Sequence, residues 1–135
     1  MLKVLVDTAA WLALVNKRDF LHAPARRVMS DLSRQNAHLT TTEFVLIEVA
    51  NALSNPAFRA QIIRFIDGLR SMPDLNVVRA TSALLDDGWQ LYRSRLDKEW
   101  SLTDCTSFVV MQQESISQAS TSDHHFEQAG FVKLL

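Results

Sequence analysis

Four carboxylates occupy positions where side chains of their type can do chemistry. Asp7 ends the apolar run "MLKVLV", Asp104 opens an apolar segment in "SLTDCTSF", and Asp123 follows "SISQAST" directly before "HHFEQ". Glu48 stands inside "FVLIEVANAL", with Phe44, Val45 and Ala52 among its near neighbours. Each aspartate has a bland alternative, because an aspartate just before a helix accepts a backbone N–H as its N-cap. Glu48 has no such outlet: a lone carboxylate on a helix that is apolar nearly all round needs a partner, either a cation of the protein or a metal ion. Gathered at one edge, the four would repel each other strongly unless divalent cations lay between them, and hard oxygen ligands select magnesium or manganese. Such a cluster can activate water and stabilise the oxygens of a phosphodiester in an in-line displacement, with one metal or two.

The octapeptide around Asp104 also holds Cys105, the only cysteine of the chain. A nucleophilic thiol needs a base, and although His124 and His125 form an adjacent pair, nothing in the sequence brings them to Cys105. Cys105 therefore reads as buried filler, and the two histidines as the start of a short surface helix where one could touch a phosphate. A single cysteine excludes an internal disulfide framework and a multi-cysteine zinc site, and points to a reducing, cytoplasmic setting.

Positioning these groups requires strands that end at a common edge. Met1 to Val6 reads as a strand buried on both faces, followed at once by a helical segment. His22 to Arg34 spaces Ala25, Val28, Met29 and Leu32 as an amphipathic helix with Pro24 near its start. "LTTTEFVLIEVANAL" begins as a strand and turns helical near Thr42; Thr40 and Glu43 have capping-box spacing, which gives Glu43 a structural role. Helical patterns from Pro56 to Met72 and from Thr81 to Leu96 flank the strand signal "LNVVRA". Thr103 to Gln113 is helical, "SISQAST" a strand, "DHHFEQAG" a short helix stopped by Gly130, and "FVKLL" a last strand. This alternation places the chain in the α/β class, with a mostly parallel sheet covered on both faces and ligands expected beyond the carboxyl ends of its strands. Without repeats, low-complexity segments or linkers, residues 1–135 read as one domain.

The whole-chain numbers agree with this reading. At 135 residues the chain can bury roughly 65 to 70% of its unfolded surface. The apolar fraction of 47% and charged fraction of 21% are those of a soluble globular protein. A net charge of −1 argues against bulk adhesion to nucleic acid but leaves a local patch open. Ten of the 14 basic residues are arginine, whose planar fork suits phosphate oxygens, although surface arginine mostly serves solvation. Asp7 interrupts the N-terminal apolar stretch and no small-residue cleavage site follows, so a signal peptide is not expected, and no segment has the length of a membrane span.

Taken together, "VLVDTAAWLAL", "TTEFVLIEVANAL", "SLTDCTSF" and "TSDHHFEQAGF" resemble the PIN-domain nucleases, and among them the VapC-like toxins of type II toxin-antitoxin pairs. The likeness covers nearly the whole chain, and four motifs in order are specific where one would not be. It implies a compact α/β/α sandwich with a parallel sheet and magnesium- or manganese-dependent cleavage of single-stranded RNA segments. It also implies acidic ligands at Asp7, Glu48, Asp104 and Asp123, and a cognate antitoxin protein as partner. Relatives often carry a second polar residue where this chain has Ala9, and Ser120 replaces a commoner aliphatic residue or threonine; neither removes a ligand. Thr8, Thr41, Thr103 and Ser107 are then candidates for supporting hydrogen bonds, with helix capping as their alternative.

Ile62, Ile63, Phe65, Ile66 and Leu69 surround nearly the whole of their helix, more than one core-facing stripe requires. Part of that surface is expected to meet a partner helix, which the resemblance identifies with the antitoxin, or to be covered within the fold or a homodimer. Other classes fare worse. A haloacid-dehalogenase-type phosphatase wants a second aspartate where Ala9 stands, and a P-loop protein needs a glycine cradle that Gly68, Gly88 and Gly130 are too scattered to form. A catalytically silent module holding a partner's arginine in the acidic cleft is the stronger rival, and the four intact acidic positions argue against it.

Overall fold

The apolar run at the N-terminus becomes the central strand of a five-stranded sheet. The computed structural model describes all 135 residues. Along the chain come β1 (Lys3–Val6), α1 (Thr8–Val15), α2 (His22–Arg34), β2 (His38–Thr42), α3 (Glu43–Ala52) and α4 (Pro56–Ser71). They are followed by β3 (Leu75–Val78), α5 (Ser82–Ser94), α6 (Leu102–Gln113), β4 (Gln118–Ser120), α7 (His124–Gln128) and β5 (Val132–Lys133). The strand order is β3-β2-β1-β4-β5 and every pairing is parallel. The expected α/β architecture with a mostly parallel sheet is thus realised as an all-parallel one.

Helices cover both faces, which explains why β1 reads as an unbroken apolar run rather than an alternation. Leu5 packs into a core with Trp100, Phe108, Met111 and Phe126, whereas Val6 packs into a second core with Trp11, Val45, Val49 and Leu75. Parallel strands need a crossover between each pair, and α3, α4 and α5, among the helices that supply it, start at side-chain caps. Thr42 accepts from the Val45 amide, Asn55 from Ala57 and Thr81 from Leu84. At the other end of α7, Gly130 adopts φ +93°, a conformation that favours glycine and lets the chain turn into β5.

Two expectations need correction. Thr40 does not form a capping box with Glu43: β2 keeps pairing with β3 as far as Thr42, so Thr42 is the cap and Thr40 stays in the strand. Glu43 instead accepts the Ala80 amide at 2.8 Å and lies 3.7 Å from Arg70, tying the start of α3 to the chain after β3 and to α4. The apolar surplus on α4 is also smaller than its sequence suggests. Ile62 and Leu69 are buried, Phe65 and Ile66 are half-buried against the second core, and Phe65 meets the Trp11 ring edge-on at 6.0 Å. Of the five residues only Ile63, 53% exposed, opens mainly to solvent. No helix is long and apolar enough to cross a membrane.

Candidate active site

The chain leaves β1 toward β2 and β3 on one side and returns on the other through β4 and β5, so the strand order reverses between β1 and β4. In an open parallel sheet a crevice forms beyond the strand ends at that point. Asp7 follows β1 there, and Thr121 to Asp123 follow β4, with the Asp7 amide donating to the Ser120 carbonyl at 3.1 Å.

Asp7 occupies the N-cap position of α1, yet its side chain makes no capping bond. It is only 4% exposed, and its Oδ2 accepts from the Thr121 hydroxyl at 3.0 Å. Burial pushes its pKa from 3.8 up to about 7; the Thr8 backbone amide and the Thr121 hydroxyl oppose that rise, while the charges of Asp104 and Glu48 add to it. Asp104 does take part in a capping box at the start of α6: its amide donates to the Ser101 hydroxyl at 2.9 Å, and its Oδ2 accepts the Ser101 amide at 3.2 Å. The same Oδ2 lies 3.1 Å from His125 Nδ1. Burial raises the Asp104 pKa, His125 and the Ser101 amide lower it, and Asp123 raises it again. Asp123 caps α7 through Oδ1, which accepts the His125 amide at 2.9 Å and lies 3.3 Å from His125 Nδ1.

Glu48 is half-buried on α3 and pairs with none of the protein's cations, so the ion-pair alternative for it falls away. Its charge is felt at Asp7. The four carboxylates are linked electrostatically in sequence, Glu48 and Asp104 acting on Asp7 and Asp123 acting on Asp104.

The four hydroxyl candidates part company. Thr8 and Ser107 are buried with hydroxyls that have no partner, one beside Asp7 and the other a helical turn beyond Asp104. Thr103 is half-buried at the start of α6, and its carbonyl accepts the Thr106 hydroxyl at 2.7 Å. Thr41 is drawn into the core instead: its hydroxyl donates to the Val6 carbonyl at 2.9 Å and accepts from Trp11 Nε1 at 3.1 Å, which leaves no proton for a carboxylate or phosphate.

Two residues escaped the sequence reading. Thr121 is fully buried, donating to Asp7 and accepting the Asp123 amide at 3.0 Å. Its signal was a threonine two residues before a capping aspartate, the spacing at which a hydroxyl takes the later amide in a turn. His125 does not lie at the surface. Its side chain is 16% exposed because the short α7 turns it inward against Asp104, whereas His124 points out as expected. Cys105 is 0% exposed, and burial together with Asp104 pushes its thiol up to about 11, which suits a filler and not a nucleophile.

The donor set fits a hard divalent cation: four carboxylates, with two buried hydroxyls short of a partner in the same region, where a coordinated water shell would satisfy them. The three acidic or histidine side chains whose ligand atoms lie within 4.8 Å of one another are Asp123, His124 and His125; Asp7, Glu48 and Asp104 are not in that group. Such an arrangement can concentrate positive charge where a phosphodiester would bind.

A PIN domain family model matches residues 4–132 of this chain. In sequence the chain is similar to the 23S rRNA-specific endonuclease VapC20 of Mycobacterium tuberculosis, at 28% identity over 131 residues and 97% of each protein. The crystal structure of that protein, described as a sarcin-ricin loop cleaving toxin, superposes with a TM-score of 0.83 over 96% of both chains. Rickettsia felis VapBC2 bound to a DNA fragment from its promoter gives a TM-score of 0.73 at 13% identity, over 98% of this chain and 97% of that one, a likeness of fold.

Proposed function

This chain belongs to the PIN domain family, and from that premise we propose that it is a metal-dependent endoribonuclease, the toxin of a toxin-antitoxin pair. Residues 1–135 would work as one cytoplasmic domain, as a homodimer, on RNA, under control of a cognate antitoxin. The observation that supports this reading is that the charges of Glu48 and Asp104 act on Asp7, and that of Asp123 on Asp104, beside the strand-order reversal, with no lysine or arginine paired to any of the four. Carboxylates so placed keep their charges together at least cost with a cation among them; without one, a raised pKa lets one of them hold a proton instead.

Asp7, Glu48, Asp104 and Asp123 would hold magnesium or manganese. Bound there, the ion would lower the pKa of water and offset charge on the phosphodiester oxygens. Thr121 keeps one Asp7 oxygen turned toward β4, and Ser101 fixes Asp104 at the start of α6. Thr8, Thr103 and Ser107 are the hydroxyls we propose to support water or phosphate in the cleft; Thr41 serves by seating α1 through Trp11. The extent of the likeness to VapC20 supports an unpaired loop of ribosomal RNA as the first substrate to try.

Sequencing of RNA 5′ ends after incubating ribosomes with the purified protein and manganese tests the reading. Wild type and Cys105→Ala should produce the same new ends, and Asp104→Asn should be slower by at least about a hundredfold, the loss typical of a key electrostatic group. A folded wild type that binds RNA but makes no new ends would show a binding module instead.

A further inference from the structure

The short segment after β4 does more than supply Asp123. Thr121 bonds Asp7 and the Asp123 amide, Asp123 takes the His125 amide, and the His125 ring reaches Asp104, so one continuous string of polar contacts joins three carboxylates from separate parts of the chain. His125 is the link between the two helices in that string. Its Nδ1 lies 3.1 Å from Asp104 Oδ2 on α6 and 3.3 Å from Asp123 Oδ1 at the start of α7. An ionised carboxylate can only accept, so the hydrogen of this contact sits on Nδ1 and is shared between the two oxygens.

The ring is held where it is needed. Its neighbour Phe126 is fully buried and packs edge-on against Phe108 of α6 at 4.9 Å, so α6 and α7 are joined both by an aromatic contact and by the imidazole. The contacts also divide each carboxylate. Asp104 spends Oδ2 on Ser101 and His125, and Asp123 spends Oδ1 on His125; Asp104 Oδ1 and Asp123 Oδ2 keep no protein partner. Free oxygens whose partners are pinned are oriented donors, as in outer-shell support of ligands generally.

We infer that His125 is a positioning residue of the carboxylate site, its Nδ1 holding Asp104 and Asp123 at one spacing so that their unpartnered oxygens face a cation together. This rests on the metal-site reading above. The test is a manganese titration followed by melting temperature, which reads metal binding without RNA cleavage, on wild type, His125→Asn, His125→Gln and His125→Ala. An asparagine amide nitrogen falls near the place of Nδ1, whereas that of glutamine falls near Nε2. His125→Asn should therefore keep the wild-type manganese midpoint, and His125→Ala and His125→Gln should raise it about 10- to 100-fold, the range for loss of an outer-shell partner. If the alanine variant does not fold without metal, the asparagine and glutamine pair decides. Equal midpoints in wild type and all folded variants overturn the role of His125, and a midpoint as poor in His125→Asn as in His125→Gln overturns the assignment to Nδ1. A wild type whose melting temperature ignores manganese overturns the metal-site reading itself, and this inference with it.

Discussion

At the scale of single residues, Asp7 carries a testable cost. In the unfolded chain its carboxyl ionises near 3.8, and in the folded, metal-free protein near 7. Between those values the native state holds a proton that the unfolded state has lost, so this group's contribution to stability falls as pH rises from about 4 to about 7 and then levels off. A neutral isostere has no such slope. Melting curves in chelator across that range should show wild type losing stability with rising pH, and Asp7→Asn losing much less and melting above wild type at pH 8. An identical slope in both would place the buried charge elsewhere. Asp104 shares the raised direction, so some slope should remain in Asp7→Asn. In the proposed metal site this burden has a use: the group that is least welcome in the empty protein would have most to gain from a cation.

At the scale of elements, α6 is the piece on which the site depends, and its closest neighbour is α5. Every residue of α6 from Asp104 to Met111 is buried, which is why its sequence shows little amphipathic periodicity. The two helices approach at Gly88, where an added Cβ would lie 2.6 Å from Thr106 Cγ2 and 3.3 Å from the Thr106 backbone. Thr106 cannot rotate away without giving up the bond from its hydroxyl to the Thr103 carbonyl. Replacing a mid-helix glycine by alanine ordinarily gains about 1 kcal/mol. Here we expect Gly88→Ala to lose about 1–2 kcal/mol in chemical denaturation, because overpacking of this kind costs about 1–3 kcal/mol. Stabilisation by Gly88→Ala would mean that α5 and α6 part more easily than their packing suggests. The start of α6, and with it Asp104, would then be less firmly placed.

At the scale of the whole molecule, the proposed site can form only in the folded chain, since its carboxylates come from residues 7, 48, 104 and 123. A cation that binds only the folded state stabilises it by mass action, by about 2.7 kcal/mol at a hundred times its dissociation constant. For a domain of this size that is a rise of roughly 10 °C in melting temperature. Manganese should produce such a rise in wild type and none in the Asp7→Asn, Asp104→Asn double variant. A rise of the same size in the double variant would separate these two residues from the metal. The antitoxin expectation also changes at this scale. Phe65 packs on Trp11, so a charge there would damage the fold before it touched any partner. Ile63 and Phe58 are the exposed apolar residues of α4 at which partner binding can be probed with the core intact.

The sequence by itself determined the class of fold and singled out the four acidic residues proposed for the site. Both rest on local signals: an apolar run without alternation means a strand covered on both faces, and a carboxylate at a strand end or amid apolar residues stands out by burial cost alone. It also settled Cys105, whose neighbours offered no base. What it did not contain were contacts across the strand-order reversal. Thr121 and His125 look like ordinary turn and surface residues until β4 is laid beside β1 and α7 is packed on α6. Thr41 likewise looked available until Trp11 and Val6 took its hydroxyl. The direction of a short polar side chain depends on which element lies opposite, and in a parallel sheet that element is dozens of residues away along the chain. Tertiary structure therefore decided which oxygens are pinned, which remain free, and which hydroxyls belong to the core.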